Sequence, residues 1–141
     1  MADDGGDFAR SMSIATSGLR AQAGRMRVIS ENIANADSTA PTAAGDPYRR
    51  KVPTFSSALD RTLDARVVTL GKVRADQSAF RVKHEPSNPA ADAAGNVKYP
   101  NVNPLVEMTD MRDAQRSYEA NLNIISATRR MIQRTLDILK A

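Results

Sequence analysis

Apolar residues recur with a seven-residue period near the start of the chain, from about residue 7 to residue 34. One row, taken as the a positions of a heptad, comprises Met12, Leu19, Met26 and Ile33. A second row, the d positions, comprises Phe8, Ala15 and Ile29, and Gln22 interrupts it. Two rows with this spacing are typical of a helix that packs against another helix.

A second periodic stretch runs from about residue 105 to residue 139. Its a row comprises Met108, Leu122 and Leu136, with Gln115 and Arg129 as polar interruptions. Its d row comprises Met111, Tyr118, Ile125, Ile132 and Leu139. A helix of about 35 residues is roughly 50 Å long, which favours a coiled coil or an elongated assembly over a compact domain.

A third apolar row lies at the c positions of both stretches. It comprises Ile14, Ala21 and Val28 in the first and Ile124, Met131 and Ile138 in the second. A two-helix coiled coil leaves these positions in water, so the row predicts a second buried side that faces a neighbouring subunit. The alternative is a set of tolerated surface apolar residues.

Two glycines, Gly18 and Gly24, lie inside the first predicted helix. Glycine in a helix costs about 1 kcal/mol relative to alanine. Either the backbone of another segment approaches the helix closely at these positions, or the cost is tolerated locally or the helix frays.

All seven prolines lie between Pro41 and Pro104, which excludes long helices from the middle of the chain. Strand-like runs occur at residues 52–55, 66–73 and 80–83, and residues 85–104 predict turns or extended coil. We therefore expect a mainly α fold in three segments. Helices in residues 1–35 and 105–141 pair as an antiparallel-type coiled coil, and residues 36–104 form an irregular middle with short β segments.

Candidate catalytic or metal-binding chemistry is sparse. The chain has no cysteine, which excludes disulfides and thiolate ligands, and His84 beside Glu85 is a poor metal site. Asp60 and Asp64 have the spacing of one helix face, but no phosphate loop or hydrolase motif accompanies them. We expect solvated carboxylates, no cofactor, no metal and no enzyme.

The net charge of +4 is spread along the chain, and the run Arg49-Arg50-Lys51 is its strongest basic cluster. A nucleic-acid site would need a docking module or stacking aromatics, so we expect a solvated or inter-subunit charge patch. The chain has no apolar run long enough to span a membrane and no signal-peptide pattern, so neither is expected.

The first helix is predicted to end at the box Asn32-Ile33-Ala34-Asn35. Asn35 suits a left-handed C-terminal cap, and Asn32 is expected to bond the exposed backbone at the turn.

Residues 30–51, which include this box, resemble the signature at the end of the N-terminal helix of flagellar axial proteins of the rod, hook and hook–filament junction. Residues 84–140, with EPSNP, AGNVKYPNVN and RSYEAN, are similar to the C-terminal half of proximal rod proteins of this family. The motif residues are Asn32, Ala34, Asn35, Tyr48, Tyr118 and Asn121. Residues 56–79 lie outside the resemblance.

The resemblance implies a structural subunit of a hollow, torque-transmitting shaft, exported through the flagellar type III apparatus without a cleaved signal. It implies neighbours among the rod proteins FlgB, FlgF and FlgG, FliE near the MS ring, and copies of the chain itself. An intrachain seam is expected between two sets of apolar residues: Met12, Leu19, Met26, Ile29 and Ile33 on the first helix, and Met108, Tyr118, Leu122, Ile125, Ile132, Leu136 and Leu139 on the second.

Two other classes of protein stay open on the sequence. A coiled-coil adaptor or export chaperone would also carry terminal heptads, but it is more often acidic and does not need a Pro/Asn-rich middle. A nucleic-acid-binding protein would use the positive charge and would show salt-dependent affinity.

Overall fold

A computed structural model describes residues 4–140, and its longest elements are a helix at each end. Helix α1 spans Asp4–Ala34, and helix α2 spans Pro104–Lys140. Helix α2 begins at Pro104 because proline is tolerated at the first helical position, and Asn103 precedes it as a cap. The Asn103 Oδ1 atom accepts a hydrogen bond from the Leu105 amide at 3.1 Å. The two predicted long helices are confirmed.

The end of α1 is capped by a side chain, without a left-handed residue. Both the backbone amide and the Nδ2 atom of Asn35 donate to the Glu31 carbonyl, at 3.1 and 2.8 Å. Among residues 4–140 the non-glycine residue with positive φ is Asp64, so the predicted left-handed cap at Asn35 was wrong. The side-chain amide already satisfies a terminal carbonyl, which removes the need for that conformation.

Six short strands lie between the helices, in three antiparallel pairs. They are β1 (Lys51–Val52), β2 (Phe55–Asp60), β3 (Ala65–Leu70), β4 (Arg74–Ala75), β5 (Arg81–His84) and β6 (Asn96–Tyr99). The pairs are β1 with β4, β2 with β3, and β5 with β6. Short β segments in the middle of the chain are thus confirmed.

Strand β6 and most of β2 were not expected from the sequence. Residues 96–99 fall in the Pro/Asn/Gly-rich stretch that predicted turns or coil, and that prediction was wrong there. Val97 and Tyr99 alternate with polar residues and are buried, together with Ala90, in a small apolar cluster. The alternation spans only four residues, too few to stand out against the turn-forming residues around it.

The chain divides into two compact units that cut across the three predicted segments. The first unit combines the part of α1 up to Met26, the segment Thr54–Lys72 and the part of α2 from Asp113. The second combines Arg27–Pro53 with Val73–Arg112. The predicted middle, residues 36–104, is therefore shared between the two units.

In the first unit the β2–β3 hairpin lies along α1. The Arg10 Nε atom donates to the Leu63 carbonyl at the hairpin turn (2.8 Å), and the Val68 amide donates to the Ser17 Oγ atom (3.2 Å). At the open end, Leu70 Cδ2 lies 2.7 Å from where a Cβ on Gly24 would stand. Strand β3 therefore follows α1 in the same direction, and Gly24 makes room for Leu70.

The second glycine of α1 makes room for α2. A Cβ atom built on Gly18 would lie 2.8 Å from the Nδ2 atom of Asn121. At both Gly18 and Gly24 another segment approaches α1 closely, but the atoms nearest to the missing Cβ belong to the side chains of Asn121 and Leu70 and not to a backbone.

Substitution of Gly18 by valine is expected to destabilise the protein by about 1–3 kcal/mol, because the added methyl groups must displace Asn121. The matched control is Ala23→Val on the exposed side of α1, where only helix propensity changes and about 0.5 kcal/mol is expected. Urea denaturation of both variants tests this, and equal losses would show that Gly18 is not a packing position.

Candidate assembly surfaces

Along α2, covered residues recur at alternating intervals of four and three. They are Glu107, Met111, Ala114, Tyr118, Asn121, Ile125, Thr128 and Ile132. Met111, Tyr118, Ile125 and Ile132 belong to the predicted d row. The other covered row is small or polar and comprises Glu107, Ala114, Asn121 and Thr128. The pattern of apolar residues therefore places this second row one residue too late, at the predicted a positions.

The predicted a row of α2 lies beside this covered row. Met108, Leu122 and Leu136 are all exposed, and so is Leu139 near the end of the helix. One residue along a helix turns the side chain by about 100°, so the one-residue shift moves these side chains onto the solvent side. Their apolar surface is uncovered within the described chain.

Helix α1 is covered on more than one side. In its predicted seam, Ile29 is buried, and Met12, Leu19, Met26 and Ile33 are partly buried. In its c row Ala21 and Val28 are buried, and Ile14 is exposed. Ala21 lines a groove that α1 forms with β3 of the chain's own hairpin. Ala21 and Val28 therefore offer little surface to a neighbouring subunit. Ile124, Met131 and Ile138 on α2, by contrast, are exposed.

In the second unit Asn32, buried near the end of α1, joins three segments of the chain. Its Oδ1 atom accepts from the Tyr48 hydroxyl (2.8 Å) and the Lys51 amide (2.9 Å). Its Nδ2 atom donates to the Lys51 carbonyl (2.8 Å) and to Glu107 Oε2 (3.0 Å). The amide group thus has two donors and two acceptors as partners, and the backbone it bonds is that of β1, not the turn after α1.

Glu107 is the acidic centre of the same cluster and is only 1% exposed. Its Oε1 atom accepts from Arg50 Nε at 2.6 Å, while its Oε2 atom accepts from Asn32. Arg50 also lies 3.7 Å from the carboxylates of Asp76 and Asp110. A buried carboxylate is tolerated here because both of its oxygens accept hydrogen bonds and a cation neutralises it.

The pKa values in this cluster shift with burial and pairing. Burial lowers the pKa of Arg50, but the hydrogen bond and charge of Glu107, with Asp76 and Asp110, outweigh it and raise the pKa overall. Burial raises the pKa of Tyr48. Hydrogen bonds from Ser78 lower the pKa of Asp76, with a smaller contribution from Arg50.

The predicted charge patch at Arg49-Arg50-Lys51 is corrected by these contacts. The Arg49 guanidinium stacks 4.2 Å above the centre of the Phe80 ring. Arg50 pairs with Glu107, and the Lys51 Nζ atom pairs with Glu31 at 2.8 Å. All three cations have partners within the second unit because alternate side chains of an extended segment reach opposite sides.

The remaining motif residues lie at helix positions. Ala34 is the last residue of α1, and Asn35 caps it. Tyr118 is partly buried on the covered side of α2. The Asn121 Nδ2 atom donates to the Ser117 carbonyl at 3.0 Å, which holds its side chain against Gly18.

The sequence did not single out Glu107, Arg50 and Asn101 as a set. The Asn101 Oδ1 atom accepts from the Arg50 amide at 2.8 Å, and its Nδ2 atom donates to Ser78 Oγ at 2.8 Å. Asn101 lies within the AGNVKYPNVN motif, which was the available signal. Glu107 stands in the first turn of a helix, where an acidic residue is ordinary, so nothing marked it.

The other residues considered for catalysis or metal binding are Asp60, Asp64 and His84. Asp60 ends β2 and Asp64 lies in the hairpin turn with φ 46°, so the notion of a shared helix face was wrong. His84 ends β5, is exposed, and its Nδ1 atom lies 3.3 Å from Asn96 Oδ1. Within residues 4–140 no group of three metal-ligating side chains comes together.

None of the helices described in residues 4–140 is long and apolar enough to cross a membrane.

A groove of about 480 Å³ opens in the first unit between α1 and the β2–β3 hairpin. It is lined by Met12, Ser13, Thr16, Ser17, Arg20 and Ala21 of α1 and by Asp60, Val67, Val68, Thr69 and Leu70 of the hairpin. Most of its wall is apolar, with one cation and one anion. A groove of this kind suits an apolar helical segment that carries a few charges.

Comparison with known proteins places this geometry among flagellar rod proteins. A family model described as "Flagella basal body rod protein" matches residues 12–40, and one described as "Flagellar basal body rod FlgEFG protein C-terminal" matches residues 93–138. The two ranges contain Asn32 and Glu107, the bonded pair at the centre of the polar cluster.

Several curated relatives carry the name flagellar basal-body rod protein FlgC. That of Agrobacterium fabrum is 52% identical, over 91% of this chain and 92% of the relative. That of Bacillus subtilis is 39% identical, over 92% and 97%, and that of Aquifex aeolicus is 36% identical, over 95% and 98%.

Proposed function

Because the chain belongs to the FlgC family and is a structural, non-enzymatic subunit of the flagellar basal-body rod, we propose that it builds the proximal part of that rod. In this proposal its two terminal helices pair as an antiparallel coiled coil, and exposed apolar residues of α2 bind neighbouring subunits. The assembled subunits form a hollow shaft that transmits torque. The single observation that carries the proposal is the exposed apolar row Ile124, Met131 and Ile138 on a helix that is covered along another side.

Two contacts support an antiparallel pairing of the helices. Gly18 lies against Asn121, and Asn32 bonds Glu107. From Gly18 to Asn32 is an interval of 14 residues along α1, and from Asn121 back to Glu107 is the same interval along α2. Equal intervals in opposite directions are expected for two antiparallel helices with one register, and 14 residues is two heptads.

The exposed row on α2 supports the second half of the proposal. Ile124 and Met131 are each 49% exposed, and Ile138 is 76% exposed. Three apolar residues at seven-residue intervals on one side of a helix form a stripe. Such a stripe in water is costly for a free subunit and is stabilised when another subunit covers it.

The chain assembles with other flagellar rod components at the basal body. We propose that these are FlgB, FlgF and FlgG, with FliE and the MS ring at the base and copies of the chain itself as lateral neighbours. We further propose that the rod crosses the periplasm and that the chain reaches it through the flagellar type III export apparatus without a cleaved signal.

Deletion of the gene tests the proposal. Electron microscopy of envelope preparations, with a swimming assay, is expected to show the membrane ring without rod or hook, and plasmid-borne wild-type chain is expected to restore both. Complete hook–basal bodies in the deleted strain would contradict a rod role. An adaptor or export chaperone would then be favoured, and the chain would be absent from purified basal bodies.

A further inference from the structure

The groove between α1 and the β2–β3 hairpin carries opposite charges at its two ends. Asp60 stands at the turn end of the hairpin, which Arg10 holds through the Leu63 carbonyl. Arg20 is exposed on the opposite stretch of α1, toward Leu70, and no ion pair with a residue in 4–140 reaches it. From Ser13 to Arg20 the helix axis advances about 10 Å.

The end of α2 carries the complementary pattern. Met131 and Ile138 are exposed and seven residues apart. Beside them Arg130, Arg134 and Asp137 share one face, because intervals of four and three residues return to the same side of a helix. From Arg130 to Asp137 the axis again advances about 10 Å, with the cations nearer the start.

We propose that residues 130–140 of one copy lie in this groove of a second copy, parallel to its α1. Met131 and Ile138 then pack on the apolar walls formed by Met12, Val67 and Val68. Arg130 and Arg134 face Asp60, and Asp137 faces Arg20. This inference rests on the proposed function, because it names the neighbour and the surface through which the rod subunit assembles.

The tail in the groove belongs to another copy because the chain's own tail cannot reach it. Asn121 of α2 lies against Gly18, within the stretch of α1 that borders the groove. Ile138 follows Asn121 by 17 residues along an uninterrupted helix, about 25 Å farther on. A straight helix does not turn back, so the apolar tail stays available to a neighbour.

Groove and tail are different surfaces of the same chain, so the contact is heterologous. Such contacts repeat from copy to copy and generate a ring or an open helix, whereas a self-complementary contact ends at a dimer. A subunit of an axial structure needs a contact of the heterologous kind.

Cysteine cross-linking tests the contact, because the natural chain has no cysteine. Thr69→Cys in the groove and Ile138→Cys in the tail are placed on two differently tagged copies, expressed together in a strain without the wild-type chain. After mild oxidation of purified basal bodies, a disulfide-linked dimer that carries both tags is expected. Ala23→Cys, exposed on α1 and outside the groove lining, replaces Thr69→Cys in the control and is expected to give no such dimer.

A charge exchange tests the predicted orientation. Arg20→Asp and Asp137→Arg are each expected to reduce swimming, and the double variant is expected to restore it. A double variant that swims no better than either single variant would overturn the orientation.

The cross-linking experiment has its own contrary outcomes. Basal bodies that contain both tagged copies without the dimer would overturn the contact. A link from Ile138→Cys to a protein of another mass would show that the occupant of the groove is not a second copy. Absence of the chain from basal bodies would instead count against the proposed function.

Discussion

Replacement of Ile125 by aspartate is expected to unfold the first unit, with a loss of about 4 kcal/mol or more in the free energy of unfolding. Ile125 is 8% exposed and lies in the covered d row of α2. The substitution removes a buried aliphatic side chain and places a carboxylate in the covered row of α2, where burial disfavours a charge. Total stabilities of about 5–15 kcal/mol leave little margin for such a loss.

The neighbouring residue supplies the matched control. Ile124 is 49% exposed, so Ile124→Asp is expected to leave the free energy of unfolding within about 0.5 kcal/mol of the wild type. If the exposed row binds other subunits, Ile124→Asp nevertheless abolishes swimming while the purified subunit stays folded. Urea denaturation and a swimming assay on both variants separate the two roles.

Two outcomes would contradict this assignment of adjacent positions. A stable Ile125→Asp subunit would show that the d row of α2 is not a packing row. A normally swimming Ile124→Asp strain would show that the exposed row does not meet a neighbour.

Replacement of Glu107 by alanine is expected to cost about 3–5 kcal/mol of stability. The substitution leaves the Arg50 guanidinium without its 2.6 Å partner and removes one of the two acceptors of the Asn32 Nδ2 atom. Arg50 retains only the carboxylates of Asp76 and Asp110, both 3.7 Å away. Since an unpaired polar group inside a protein costs more than a single hydrogen bond contributes, the loss is expected to exceed that of an ordinary ion pair.

An exposed ion pair in the same unit is the control for Glu107. Glu31 pairs with Lys51 at 2.8 Å, and both side chains are 44% exposed. Glu31→Ala is therefore expected to cost less than about 1 kcal/mol. Glu107→Gln keeps an oxygen acceptor without the charge and is expected to fall between the two. Equal losses for Glu107→Ala and Glu31→Ala in urea denaturation would show that the cluster does not stabilise the second unit.

The two helices could be predicted from the sequence because their signals are local. Proline is confined to residues 41–104, and the d rows of both helices repeat over several turns. Ile125 and Ile29, which belong to the d rows, are buried. Periodicity reports which side of a helix is apolar, and that property needs no knowledge of the partner.

The second covered row of each helix could not be predicted in the same way. On α2 it contains Ala114, Asn121 and Thr128, and on α1 it contains Gly18 and Asn32. Small and polar residues there allow close approach and specific hydrogen bonds, but they leave no hydrophobic signal. The apolar Met108 and Leu122 beside them drew the predicted heptad onto an exposed side instead.

The sequence by itself determined two long terminal helices, a proline-rich middle with short strands, and motif residues that pointed to the rod family. Only the tertiary structure decided what those motif residues contact, since Asn32 and Glu107 are 75 residues apart and Arg50 and Glu107 are 57 apart. Tertiary structure also decided that the hairpin covers part of α1, while the side chains at the end of α2 are exposed. The physical reason is range: helix periodicity and proline act over a few residues, whereas a buried ion pair exists only after distant segments have met.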